Sequence, residues 1–221
     1  VFFPTAGYIN DPQLSAHNLQ RAAENKGAKF LFNRGVTQIE RNGNRVEGVV
    51  LSDGTRISSK VIINVAGPHS NKINEMAGVA DSNKIKTKAL KVEVSHVKSP
   101  KNFDYNENGF VISDSDIGCY SRPETGNNIL IGSEDPECDD RIFVDPDDWN
   151  QNFTSQWETQ VLRQAQRYPT LPISSEVKGV VSLYDVSDDW IPIYDKSDLG
   201  GFYMAIGTSG NQYKNAPVVG V

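Results

Sequence analysis

Along this chain the rhythm of apolar and polar positions shifts from helical to strand-like and back. In Asp11 to Gly27, Leu14, Leu19, Ala22 and Ala23 approximate helical spacing. Asp11 suits the cap, Pro12 the first helical position and Gly27 the stop. The next segment, KFLFNRGVTQIERNGNRVEGVVLSDGTRISSKVIINVAG, predicts a strand at its start and a run around Val36 to Glu40. A turn at Asn42-Gly43, a strand from Val46 to Leu51, a turn at Asp53-Gly54 and a strand from Val61 to Val65 complete it. VIINV is apolar at successive positions, the pattern of a strand buried on both faces of a parallel sheet. It ends in Ala66-Gly67-Pro68, at the carboxyl end where open α/β sheets bind ligands.

From about Lys86 polar and apolar residues alternate, in KALKVEVSHV, NGFVISD and GCYSRPETGNNILIGS, which predicts an antiparallel sheet. DPDDWNQNFTSQWETQVLRQAQRYP predicts a helix with Phe153, Trp157, Val161 and Leu162 on one side and Pro169 beyond its end. Sheet returns from Val177 to Tyr184. The α/β texture resumes at GGFYMAIG, which breaks into TSGN and restarts as QYKNAPVVGV. Gly207, Ser209 and Gly210 lack bulk, so backbone N–H groups can approach a ligand there, and a helix start beyond favours negative charge. A strand that opens this way is where folds bind phosphate or flavin.

At 221 residues and 38% hydrophobic content, the chain can bury a substantial core. A formal charge of -6 with no Lys/Arg block argues against nucleic acid or an anionic membrane as partner. Its apolar runs fall short of the ~20 residues of a bilayer helix. Cys119 and Cys138 lie outside CxxC spacing, so reduced thiols in a cytoplasmic protein are expected. His17, His69 and His96 are too scattered for a metal site or a triad. The acidic stretch EDPECDDRIFVDPDD lacks calcium-loop spacing and reads as a solvated loop; Arg122 could bind a carboxylate, but in a turn before Pro123 it reads more readily as a solvated arginine. Val1 opens inside an apolar run with neither initiator Met nor signal peptide, and the last helix has barely begun at Val221. Both ends read as internal, so a piece of a longer protein is expected.

Taken in order, GYINDPQLSAHNLQRAAENKGAKFLFNRGVTQIE, IINVAGPHS, YSRPETGNNILIGS, SLYDVSDDWIPIYD and FYMAIGTSGNQYKNAPVVG cover nearly the whole chain. Together they resemble the FAD-dependent oxidoreductases of the D-amino-acid oxidase superfamily, which includes glycine oxidase, sarcosine oxidase and dimethylglycine dehydrogenase. That family begins with a strand, a GxGxxG turn and a helix that hold the FAD pyrophosphate, and no GxGxxG occurs here. The resemblance therefore implies a fragment with a mixed α/β fold (α+β). Residues 1–85 would be a partial FAD-binding, Rossmann-like domain with a β-meander. Residues 86–195 would be an inserted substrate-binding domain, mainly antiparallel sheet plus a helix, and 196–221 a truncated return to the FAD-binding domain.

Carried over by position, the resemblance puts the backbone of Val36 at the FAD adenine and the strand-end turn of Ala66 and Gly67 beside the cofactor. Gly207, Thr208, Ser209, Gly210, Asn211 and Gln212 match the turn beneath the flavin ring. Asn211 replaces the usual His there and Gln212 the usual Gly. Lys214 matches a lysine that binds the substrate carboxylate in sarcosine oxidases, a task suited to an ammonium; a solvated lysine is the other reading. Tyr184, which shares SLYDVSDDW with Asp189, either edges the substrate pocket or packs the sheet. Ser182 falls where some sarcosine oxidases bond the flavin through cysteine, so covalent attachment there is excluded.

The implied activity is oxidation of the C–N bond of an amino acid or a secondary or tertiary amine, by hydride transfer to non-covalent FAD, giving an imine that water hydrolyses. The implied partner is a small-molecule substrate. The competing reading is a non-catalytic binding or assembly module of the same fold without FAD. Lacking the pyrophosphate segment, the chain alone is expected to be inactive and to hold little FAD.

Overall fold

The computed structural model describes residues 1–5 and 7–220. In chain order the elements are α1 (Pro12–Glu24), β1 (Val36–Asn42), β2 (Arg45–Leu51), β3 (Arg56–Ser58), β4 (Ile62–Asn64) and α2 (Ser70–Met76). Then come the long strand β5 (Thr87–Lys98), α3 (Tyr105–Asn108), β6 (Ile112–Asp114), β7 (Cys119–Glu124), β8 (Asn128–Ser133) and β9 (Phe143–Val144). The last are α4 (Gln156–Ala165), β10 (Gly179–Ser187), β11 (Ile193–Lys196), β12 (Phe202–Ile206) and α5 (Ala216–Val219). They form two compact units: residues 1–30, 92–141 and 151–182 make the first, and 31–91, 142–150 and 183–221 the second. Strands β5 and β10 each contribute to both.

In the first unit, Asp11 caps α1 by accepting the Leu14 N–H at 2.8 Å, as the sequence predicts. The helix buries no residue, however, and Leu14 and Leu19 are exposed. Five residues apart, they point about 140° away from one another and make no stripe. The antiparallel hairpin β7–β8 runs in register from Cys119↔Ser133 to Glu124↔Asn128. Alternation turns Ile129 and Ile131 toward a core with Tyr105, Val161 and Leu171. Trp157 and Val161 of α4 face that core, but Leu162, one residue further round, is exposed. Nor is the acidic stretch wholly solvated, because the buried Asp139 carboxylate meets Arg163 at 2.6 Å. Arg122 is likewise engaged, 3.0 Å from Glu124 and over the Tyr8 ring. Burial pushes the Cys119 thiol up to about 11, while Cys138 is free and exposed.

In the second unit, β1, β2 and β3 form the expected meander, in that order. The strand predicted at the start of KFLFNRG is absent, and Phe30, Leu31 and Phe32 are all exposed. Apolar content alone does not make a strand; a ladder partner is needed, and the meander strands satisfy one another. Strand β4 pairs with β12 in parallel and β11 with β12 antiparallel, giving the order β11-β12-β4. The core gathers Ile39, Val46, Phe202, Met204 and Ile206. VIINV is not buried on both faces: Asn64 is buried while Val61, Ile63 and Val65 are exposed, so burial alternates along the run. Among the described residues no helix is long and apolar enough to cross a membrane, and no group of three His, Cys, Asp or Glu is placed to hold a metal.

Candidate functional site

Parallel pairing of Phe202↔Ile62 through Met204↔Asn64 sends β4 and β12 the same way. The Ala66-Gly67 turn and the turn of residues 207–212 therefore leave the same end of the sheet. Beneath the first lies Asn64, 2% exposed. Its amide nitrogen donates to the Ser70 carbonyl and to Asn74 Oδ1, each at 2.9 Å, and its oxygen accepts the Ala66 N–H at 3.1 Å. Gly67 follows at φ +56°, a conformation that a side chain would strain, and a Cβ built on it would meet nothing within 4 Å. The outer side of this turn is open backbone.

The second turn is held from below by Asp185, at the buried end of β10 and 3% exposed. Its Oδ2 accepts the Gly207 N–H at 2.7 Å and the Ser70 hydroxyl at 3.3 Å, and its carbonyl accepts the Ser209 N–H at 2.8 Å. Ser209, buried at φ +49°, donates its hydroxyl to the Gly207 carbonyl and accepts the Ser187 N–H. Burial pushes the Asp185 carboxyl above the usual carboxylate range, against the opposing pull of the Gly207 N–H and the Ser70 and Thr87 hydroxyls. Oδ1 has no hydrogen-bond partner.

The structure thus brings Ala66, Gly67, Gly207, Thr208, Ser209 and Gly210 to one end of one sheet. Tyr184 lies under the second turn: a Cβ on Gly210, at φ +72°, would sit 2.3 Å from its ring. Asn211 is exposed, and Gln212 bonds sideways to Asn211 and Asn215. Lys214 is exposed in the 3-10 turn Tyr213–Asn215. Val36 belongs to the meander, opposite Leu51, and packs against the unit's core. Asp189 accepts the Ser187 hydroxyl at 3.1 Å and the Ile191 N–H at 3.1 Å. Sequence reasoning passed over Asp185. The available signal was an aspartate inside the strand-like run SLYDVS, a place strands disfavour.

The chain matches the FAD dependent oxidoreductase family, DAO, over residues 1–221. No curated protein matches its sequence. Among solved structures it is similar to L-proline dehydrogenase from P. horikoshii, with TM-score 0.78 and 21% identity, covering 95% of this chain and 53% of that one. It is also similar to glycine oxidase from Geobacillus kaustophilus, with TM-score 0.69 and 17% identity, covering 93% and 50%. Iminodiacetate oxidase from Chelativorans sp. BNC1 gives 0.67 and 18%, covering 94% and 52%. At these identities the likeness is one of fold, and the chain spans about half the length of the solved chains it matches. The family match runs from the first residue to the last, through both strand-end turns: this chain belongs to the FAD dependent oxidoreductase family.

Proposed function

We propose that the chain is part of an enzyme that oxidises the C–N bond of an amino acid or a secondary or tertiary amine with FAD. The observation that carries this reading is the pair of parallel strand ends, each closed by a turn held from beneath by one buried polar side chain. The cofactor fits this geometry because Gly67 offers backbone that no side chain covers. Gly67 and the turn of residues 207–212 would hold it. When bound, FAD supplies the two-electron oxidation of the carbon bearing the amine.

The chain's own residues bind and orient. The Lys214 ammonium is free to reach a substrate carboxylate and fix which C–H bond is presented. Tyr184, half-buried beneath Gly210, limits the space beside the turn. The test is Lys214→Gln in the full gene product. We expect KM for a carboxylate-bearing substrate to rise about tenfold or more, the worth of a charge-assisted bond. KM for the amine lacking the carboxylate should stay unchanged. Equal effects on both would remove Lys214 from the site, and a flavin-loaded protein that oxidises no amine would overturn the reading.

A module without FAD is the second reading, favoured by the lack of a GxGxxG segment in this sequence. Colour separates the two readings, because protein carrying oxidised flavin is yellow.

A further inference from the structure

We propose that Asp185 is the positioning residue of the turn at residues 207–210: its carboxyl, more than the turn's glycines, sets the bend on which the flavin would rest. The last clause rests on the function proposed above; the bracing does not.

A glycine at φ +67° is permitted its conformation, not compelled into it, because without a Cβ either sign of φ is open. Something else must select one. In this turn two N–H groups, those of Gly207 and Ser209, both end on Asp185, one on its side chain and one on its main chain. Gly207 is buried, so without the carboxyl its N–H would have neither protein nor solvent partner, a loss on the scale of a buried unsatisfied donor. The same carboxyl takes the Ser70 hydroxyl from the start of α2, which ties the end of β12 to the helix that follows β4.

The empty Oδ1 is the unusual part. A buried carboxylate with an unpaired oxygen is costly, whereas a carboxylic acid can place its proton there. The groups that face the carboxyl are the Ser70 hydroxyl from α2 and the Gly207 N–H from the turn, both on Oδ2, and the Thr87 hydroxyl from β5; none is charged. Thr87 Oγ1 is likewise buried without a hydrogen-bond partner. Since burial pushes this carboxyl up, the acid persists above the usual range, and Oδ2 accepts from Gly207 in either form.

The test is amide hydrogen exchange, read by nuclear magnetic resonance on this chain. In Asp185→Ala, exchange at Gly207 should rise about tenfold or more, one lost hydrogen bond's worth, while Ile39 and Val46 stay unchanged. Asp185→Asn keeps an acceptor oxygen and should rescue Gly207 to near the wild-type rate. Unchanged exchange in the alanine variant, or an asparagine variant as fast as alanine, overturns the proposal. Should Asp185→Ala fail to fold, the wild-type titration decides: the Gly207 amide shift must follow the Asp185 carboxyl carbon through one midpoint above the ordinary aspartate range. Independent movement overturns it. FAD added to the full gene product and followed at the Gly67 and Gly207 amides separates the two layers. Perturbation weaker in Asp185→Ala and restored in Asp185→Asn supports the link to flavin. Exchange that behaves as expected with no FAD response at either turn leaves the brace standing and overturns the flavin reading.

Discussion

The turn after β4 is braced by an amide and the turn after β12 by a carboxyl. Asn64 uses both ends of its side chain: two donor bonds go to α2 and one accepted bond comes from the turn. Asp185 uses one oxygen and leaves the other empty. A neutral amide is a brace that pH does not alter, and a buried carboxyl is one that its own proton adjusts. The glycines differ in the same sense. Gly67 faces open space, so its small size serves the outside of the turn, whereas Gly210 lies against Tyr184 and its small size serves packing beneath.

The largest effect on this contrast should come from Asn64→Ala, which strands the Ser70 carbonyl, Asn74 Oδ1 and the Ala66 N–H in a buried site. We expect a loss of about 3 kcal/mol in chemical denaturation. A loss below about 1 kcal/mol, the scale of one ordinary hydrogen bond, would show that the first turn does not depend on its amide. Next is Gly210→Ala, at about 2 kcal/mol, because the new methyl collides with the Tyr184 ring at a positive φ. Pairing it with Tyr184→Leu should recover part of that loss; failure to recover would place the strain in the backbone alone. Gly67→Ala carries only the backbone strain, about 1 kcal/mol, since no atom stands in the way. If it costs as much as Gly210→Ala, the two turns are not different in kind.

The smallest effect is the most diagnostic. Asp185 has its folded-state value raised, so the folded protein holds that proton more tightly than the unfolded chain does. The associated stability is fully present below the ordinary aspartate value of about 3.9 and is lost as pH rises through the raised value. Wild type should therefore lose stability relative to Asp185→Asn across that window, measured as the difference in denaturation midpoint. The corresponding comparison with Asn64→Ala should be flat. A flat Asp185 difference would mean that the carboxyl titrates alike folded and unfolded.

What the sequence made legible was local. Asp11-Pro12 opens α1 because a cap and a first helical residue need only their neighbours, and Asn42-Gly43 turns the meander for the same reason. Both glycine-bearing turns were visible as breaks after apolar runs. Asp185 was not, because its partners lie 22 and 115 residues away at Gly207 and Ser70, and nothing in SLYDVS announces them. The two-faced burial expected of VIINV failed for a related reason: an apolar run records what a strand can bury, while the elements beside it decide what it does bury. Leu162 missed the core by a rotation of about 100°, one residue along a helix.

The division of the chain has its own consequence. The backbone changes unit after residues 30, 91, 141, 150 and 182, and two strands, β5 and β10, are held in common. No uninterrupted stretch of sequence encodes either unit. A single cut in the backbone cannot release one of them whole, and a genetic crossover cannot exchange one without breaking the other. The two are therefore inherited together rather than shuffled as halves.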